Sequence, residues 1–141
     1  MFVVIDTNVI VSSLISHDPE SPPVRVINAL LDCKFIPLHN PMIIAEYEEV
    51  LHRSKFHFDP AKVRYIIDHI LTEGIEVFPS PTGEILPDPS DLIFYEVTMA
   101  QRCQDQEDGW LVTGNTKHYP ARCYIMKPYD FMVMLDNHGK K

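Results

Sequence analysis

Apolar residues fall along this chain in two rhythms. Short unbroken blocks rich in β-branched residues alternate with longer stretches in which apolar positions recur every three to four residues. The first rhythm predicts strands buried on both faces, the second amphipathic helices. Phe2-Val-Val-Ile5 is a block of the first kind. Thr7 or Asn8 can cap a helix running to about Ser16, and Ser21-Pro-Pro opens a second with Val24, Ile27, Leu30 and Leu31 at helical spacing. Phe35-Ile-Pro-Leu38 predicts a strand, with Pro37 placing it near a sheet edge or end. Asn40-Pro41 begins a helix whose buried side is Ile43, Ile44, Tyr47, Val50 and Leu51. Asp59-Pro60 starts another, carrying Val63, Ile66, Ile67, Ile70 and Leu71 and closed by Gly74 in the usual C-terminal position.

The remaining elements follow the same alternation. Ile75-Glu-Val-Phe78 predicts a strand, Pro79 to Pro87 a loop, and Asp88-Pro-Ser-Asp91 the start of a helix with Ile93, Phe94, Val97 and Ala100. Trp110 to Thr113 and Tyr124 to Met126 are further strands, and Pro128 to Leu135 a closing helix. Strands alternating with helices predict an α/β fold: a three-layer α/β/α sandwich around a mostly parallel sheet. A length of 141 residues suits one domain spanning 1–141.

Composition narrows the class. No apolar run approaches the roughly 20 residues of a membrane span, so no membrane association is expected. The opening Met-Phe-Val-Val-Ile-Asp lacks the basic region of a secretory leader and is expected to be the first strand. Three cysteines (Cys33, Cys103 and Cys123) with no C-x-x-C pair argue against a disulfide framework or structural zinc, so a reducing cytoplasm is the expected compartment. The seven histidines show no metal-ligand spacing. No phosphate-cradling glycine loop is present, which excludes the common nucleotide-cofactor folds. The net charge of −8 is unusual for a nucleic-acid binder, but it is segregated. Residues 84–108 hold Glu84, Asp88, Asp91, Glu96, Asp105, Glu107 and Asp108 against Arg102 alone, whereas 115–128 contain Lys117, His118, Arg122 and Lys127 and no acid.

The placement of the acids points to chemistry. Asp6 follows a buried strand, and in open parallel sheets ligands bind beyond the carboxyl ends of strands. Its ordinary alternative is a cap on the following helix. Glu46 falls three residues after Ile43 and four before Val50, on the apolar face, where a carboxylate needs a partner or a metal. Asp88 and Asp91 flank a helix start; capping explains one acid there, but not two. Thr113-Gly-Asn115 follows another buried strand, where a simple turn is the alternative. Asp108 precedes that strand and belongs at the opposite end of the sheet. Oxygen donors so gathered suit a hard divalent cation, which activates water and stabilises a leaving oxygen in phosphodiester hydrolysis.

At these residues the chain resembles the PIN-domain family. Val-Val-Ile-Asp6-Thr-Asn8 is similar to its opening motif, and Ile-Ile-Ala-Glu46-Tyr-Glu-Glu-Val-Leu51 to the helix of its second acid. Asp88-Pro-Ser-Asp91 resembles its third motif, and Leu-Val-Thr113-Gly-Asn115-Thr-Lys-His118-Tyr-Pro120 its fourth. The resemblance runs from Met1 to about Leu135 and is nearest the branch of toxin components of prokaryotic toxin–antitoxin systems. It implies an endoribonuclease dependent on Mg²⁺ or Mn²⁺, with Asp6, Glu46 and Asp91 catalytic and Asp88 and Asn115 joining them as metal ligands. Asn8 and Thr113 support the motifs. Many family members carry an acid where this chain has Asn115, and an amide oxygen ligates a cation without adding charge. The expected partners are RNA, a small antitoxin protein and a second copy of the chain in a homodimer.

For RNA contact the candidates are Lys117, His118 and Arg122, with Arg53 and Lys55 as an outer set. The latter lie in His52-Arg-Ser-Lys-Phe-His-Phe58, which mixes cations and aromatics as single-strand binders do. A solvated helix end with Phe56 packed inward is the plainer account of that segment. Two other functions compete with a ribonuclease. One is a non-catalytic PIN-like module that binds RNA or protein; the other is a nuclease on DNA ends or flaps, for which the chain has no evident strand-threading elements.

Overall fold

The computed structural model describes residues 1–104 and 107–138; Asp105, counted above in the acidic stretch, lies outside them. The strands are β1 (Phe2–Ile5), β2 (Ile36–His39), β3 (Ile75–Glu76), β4 (Trp110–Val112) and β5 (Ile125–Met126). The helices are α1 (Thr7–Ile15), α2 (Pro22–Leu31), α3 (Pro41–Leu51), α4 (Pro60–Glu73), α5 (Leu92–Gln104) and α6 (Pro128–His138). All strand pairs are parallel, in the order β3-β2-β1-β4-β5. One helical layer is formed by α2 packed between α1 and α6; on the other, α3 meets α4 and α5, and α5 lies across β1, β2 and β4. The result is the α/β/α sandwich that the alternation predicts. Among the described residues no helix is long and apolar enough to cross a membrane.

The strand order decides where a site can form. The chain steps outward from β1 to β2 and β3, then returns to the other side of β1 for β4 and β5. Between β1 and β4 the direction of winding reverses, and the loops leaving their carboxyl ends part to leave a crevice. Val3, Val4 and Ile5 of β1 and Leu111 and Val112 of β4 are all buried, so the floor of that crevice is rigid apolar core.

Several elements depart from the pattern-based expectation. Ile75–Phe78 pairs over two residues only, Ile75–Glu76, and Phe78 is 71% exposed. Both strand residues are exposed at this sheet edge. β2 lies one strand in from that edge. Ile36 donates to Met1 across the β1 side, so Pro37 directs its missing N–H toward β3, whose pairing begins only at Leu38. Gly74 does close α4, but with φ −93° it needs no left-handed freedom. A Cβ there would collide with the carbonyls of Ile70 and Pro37, so its role is close approach of α4 to β2. Asp88 opens a 3-10 turn, Pro89–Asp91, before α5 proper. Leu71 is 44% exposed, off the buried face of α4.

Candidate active site

Asp6 ends β1 at the mouth of the crevice and is 3% exposed. It occupies the cap position of α1, yet its side chain makes no capping bond. Instead Oδ2 accepts from the Thr113 hydroxyl at 2.9 Å and from the Tyr119 hydroxyl at 2.8 Å. Thr113 stands at the carboxyl end of β4, across the switch point. Its hydroxyl donates to Asp6 and accepts from the Asn115 backbone N–H (3.0 Å) and the Asn8 amide (3.4 Å), which fills its capacity. Asn8 Oδ1 accepts from the Gly114 N–H at 2.8 Å, and a Cβ on Gly114 would stand 3.2 Å from that oxygen. The first and fourth sequence motifs are thus bound together by their own side chains.

The other two acids come from the α3–α5 layer. Asn40 accepts from the Met42 and Ile43 amides and fixes the start of α3, which brings half-buried Glu46 over the end of β1, where the Thr7 hydroxyl donates to it. One residue on, the wholly buried Tyr47 donates to the carbonyl of Ile5, pinning α3 to the strand beneath Asp6. Asp91, at the end of the 3-10 turn, is 8% exposed and meets Nδ1 of His118 at 3.1 Å. His118 is therefore drawn into the acid cluster rather than left wholly to solvent.

The electrostatics are those of acids pressed together. Burial raises the Asp6 carboxyl above its ordinary range, against the opposing hydrogen bonds of Tyr119 and Thr113. Burial likewise raises Glu46; the Thr7 bond opposes this, while the charges of Asp6 and Asp88 add to it. Asp91 is pushed up to about 6, by burial first and then by the charge of Asp6, with the His118 bond working the other way. The Tyr119 phenol is raised by burial and by Asp6 and Asp91, so it stays protonated and serves as a donor.

The remaining candidates fall around this centre. Asp88 is exposed, and its Oδ1 accepts from the backbone and hydroxyl of Ser90. That cap holds its carboxyl below the usual range, although its charge still reaches Glu46 and Asp91. Asn115 is exposed at the mouth. Lys117 and Arg122 line a groove of about 750 Å³ along the β5 edge, together with Lys127 and the ring face of Tyr119. Arg53 already pairs with Glu49 through two bonds, at 2.8 and 3.1 Å. Lys55 lies over Phe56, which stacks on Phe58. Asp108 meets the Met1 amino group at 3.5 Å, at the amino end of the sheet and away from the cluster. Thr7, Tyr47 and Tyr119 were not among the sequence candidates. Of these only Tyr119 had a signal: an aromatic hydroxyl directly after His118 in the acid-free segment.

The donor set suits a hard cation. The charge of Asp6 raises the proton affinity of both Glu46 and Asp91, and the side-chain partners of the three acids are hydroxyls and one imidazole. Among the described residues no group of three or more His, Cys, Asp or Glu side chains is arranged to hold a metal ion as the side chains stand. A family model described as PIN domain matches residues 2–117. No curated protein and no solved structure matches the chain.

Proposed function

The chain belongs to the PIN-domain family, a nuclease-type fold, and from that premise we propose that it is an endoribonuclease dependent on Mg²⁺ or Mn²⁺. The observation that carries this reading is that Asp6, Glu46 and Asp91 lie about the β1/β4 switch point, near enough that the charge of Asp6 raises the carboxyls of the other two. In this reading Asp6, Glu46 and Asp91 hold the cation, and Asp88 and Asn115 are outer oxygens at the rim. When bound there, the cation would supply an activated water and neutralise charge on the phosphate.

The chain's own groups do the rest. Tyr119 and Thr113 hold Asp6 in one orientation, so one carboxylate oxygen is kept toward the crevice without rotamer search. Thr7 does the same for Glu46, and the Asp91 contact at Nδ1 orients the His118 ring. Hydrolysis forms a bond from water oxygen to phosphorus and breaks the bond to the leaving ribose oxygen. Lys117, Arg122 and His118 approach the phosphate backbone from the β5 side, with Arg53 and Lys55 as a weaker outer set. The whole chain, 1–141, acts as one domain.

The motif resemblance supports a finer reading: the toxin component of a toxin–antitoxin pair, cytoplasmic, with a small antitoxin protein and a second copy of the chain as partners. The non-catalytic alternative rests on Asn115 alone. To decide, labelled single-stranded RNA and DNA of one sequence are incubated with the protein in Mg²⁺, Mn²⁺ or EDTA. Internal cleavage of RNA that EDTA stops is the expected result. Tight RNA binding without cleavage in either metal would establish the non-catalytic module, and preferential cleavage of DNA would establish the third reading.

A further inference from the structure

We propose that the cleft between Tyr129 and the Pro22-Pro23 step is a nucleobase subsite, in which one base of single-stranded RNA stacks beside the acid cluster. This rests on the ribonuclease reading and adds to it the course of the strand. The cleft measures about 250 Å³ and is formed where the first turns of α2 and α6 face each other. Its lining includes Tyr129, 62% exposed, with Pro22 and Pro23. An aromatic ring beside two prolines suits a flat ring with a polar rim, and base–aromatic stacking is a main source of single-strand affinity.

The location ties the cleft to the chemistry. Asn8 and Gly114 line it; they bond to each other at 2.8 Å and, through the Thr113 hydroxyl, to Asp6. A base in the cleft therefore carries its ribose and phosphate toward the mouth of the crevice. Lys127 lines both this cleft and the larger β5-edge groove, where Lys117 and Arg122 face the single acid Asp130. Tyr119 lines that groove and donates to Asp6. Two cavities meeting at one lysine, one lined by a residue bonded to Asp6 and the other by a residue bonded to it through Thr113, describe the path of a polyanion with planar substituents. An apolar peptide would match the cleft but leave the row of cations without counter-charges.

The test is steady-state cleavage of a nine-nucleotide single-stranded RNA in Mn²⁺, with an abasic position walked along the substrate. For Tyr129→Ala we expect KM to rise roughly tenfold, the size of one stack, with kcat within about twofold, and Tyr129→Phe to behave as wild type. One abasic position should raise the wild-type KM by a similar factor and leave the Tyr129→Ala value unchanged, because both changes remove the same contact. Lys127→Ala should flatten the salt dependence by about one phosphate contact. If wild type cleaves RNA while Tyr129→Ala keeps its KM, or if the abasic penalty adds at every position, the subsite is wrong and the ribonuclease reading stands. If wild type cleaves no RNA, both fall.

Discussion

The Tyr119 hydroxyl donates to Asp6 at 2.8 Å from 113 residues along the chain. That bond lowers the Asp6 carboxyl against the larger effect of burial, so Tyr119→Phe raises it further. The acid limb of the pH–rate profile should then move to higher pH, with kcat at pH 7 down roughly tenfold and KM little altered. An unmoved limb would make Tyr119 a packing residue only. At the rim, Asn115→Asp adds charge to an oxygen cluster and should lower the Mn²⁺ concentration for half-maximal cleavage; an equal or higher requirement would remove Asn115 from the cation's surroundings. Asp6 and Asp91 were legible as residues because an acid after a buried strand, or a second acid at one helix start, exceeds what capping needs. Tyr119, Thr7 and Tyr47 were not, since their partners are set by the sheet order and leave no trace in local periodicity.

Elements were read best where burial is two-sided. β1 and β4 lie in mid-sheet and match their apolar blocks closely, whereas β3, exposed at the sheet edge, stops after Glu76. Gly74 looked like a conformational stop and proved to be a contact, a distinction that depends on where β2 runs. In the ribonuclease reading, the segment from Asn115 to Pro128 is where this acidic protein would meet RNA. It leaves the carboxyl end of β4, returns as β5, and places Lys117 and Arg122 on one groove. Replacing both by Ala should weaken RNA binding and reduce the slope of log affinity against log salt by about 1.4, at roughly 0.7 per single-strand phosphate contact. Cation affinity should be unchanged, because neither side chain offers an oxygen. An unchanged slope would place the RNA path elsewhere.

At the scale of the whole molecule, the parallel sheet gathers side chains from positions 6, 46, 91 and 119 at one end of the fold, and the cost is electrostatic. A carboxyl raised on folding favours the folded state below its unfolded pKa, and that advantage is lost as pH rises through the folded value. For Asp91 the loss runs from about 3.8 to about 6. In EDTA at pH 7.5, Asp91→Asn should therefore melt above wild type. After a discount for solvent screening the gain is about 1–2 kcal/mol, or roughly 3–7 °C for a chain of this size, and it should shrink toward zero by pH 4. Mn²⁺ should raise the melting temperature of wild type at pH 7.5 and leave Asp91→Asn nearly unmoved. A wild-type melting temperature indifferent to Mn²⁺ would remove the cation from the cluster.

In the proposed function Asp6 leads a cation-holding acid cluster that cleaves RNA. The comparison is of initial cleavage rates of single-stranded RNA by wild type and Asp6→Asn in saturating Mn²⁺, with melting curves of both proteins taken in EDTA. The rate for Asp6→Asn should be at least about 100-fold lower, in a protein that melts no lower than wild type because a buried charge has been removed. A folded Asp6→Asn protein that cleaves as fast as wild type would rule out this role for Asp6.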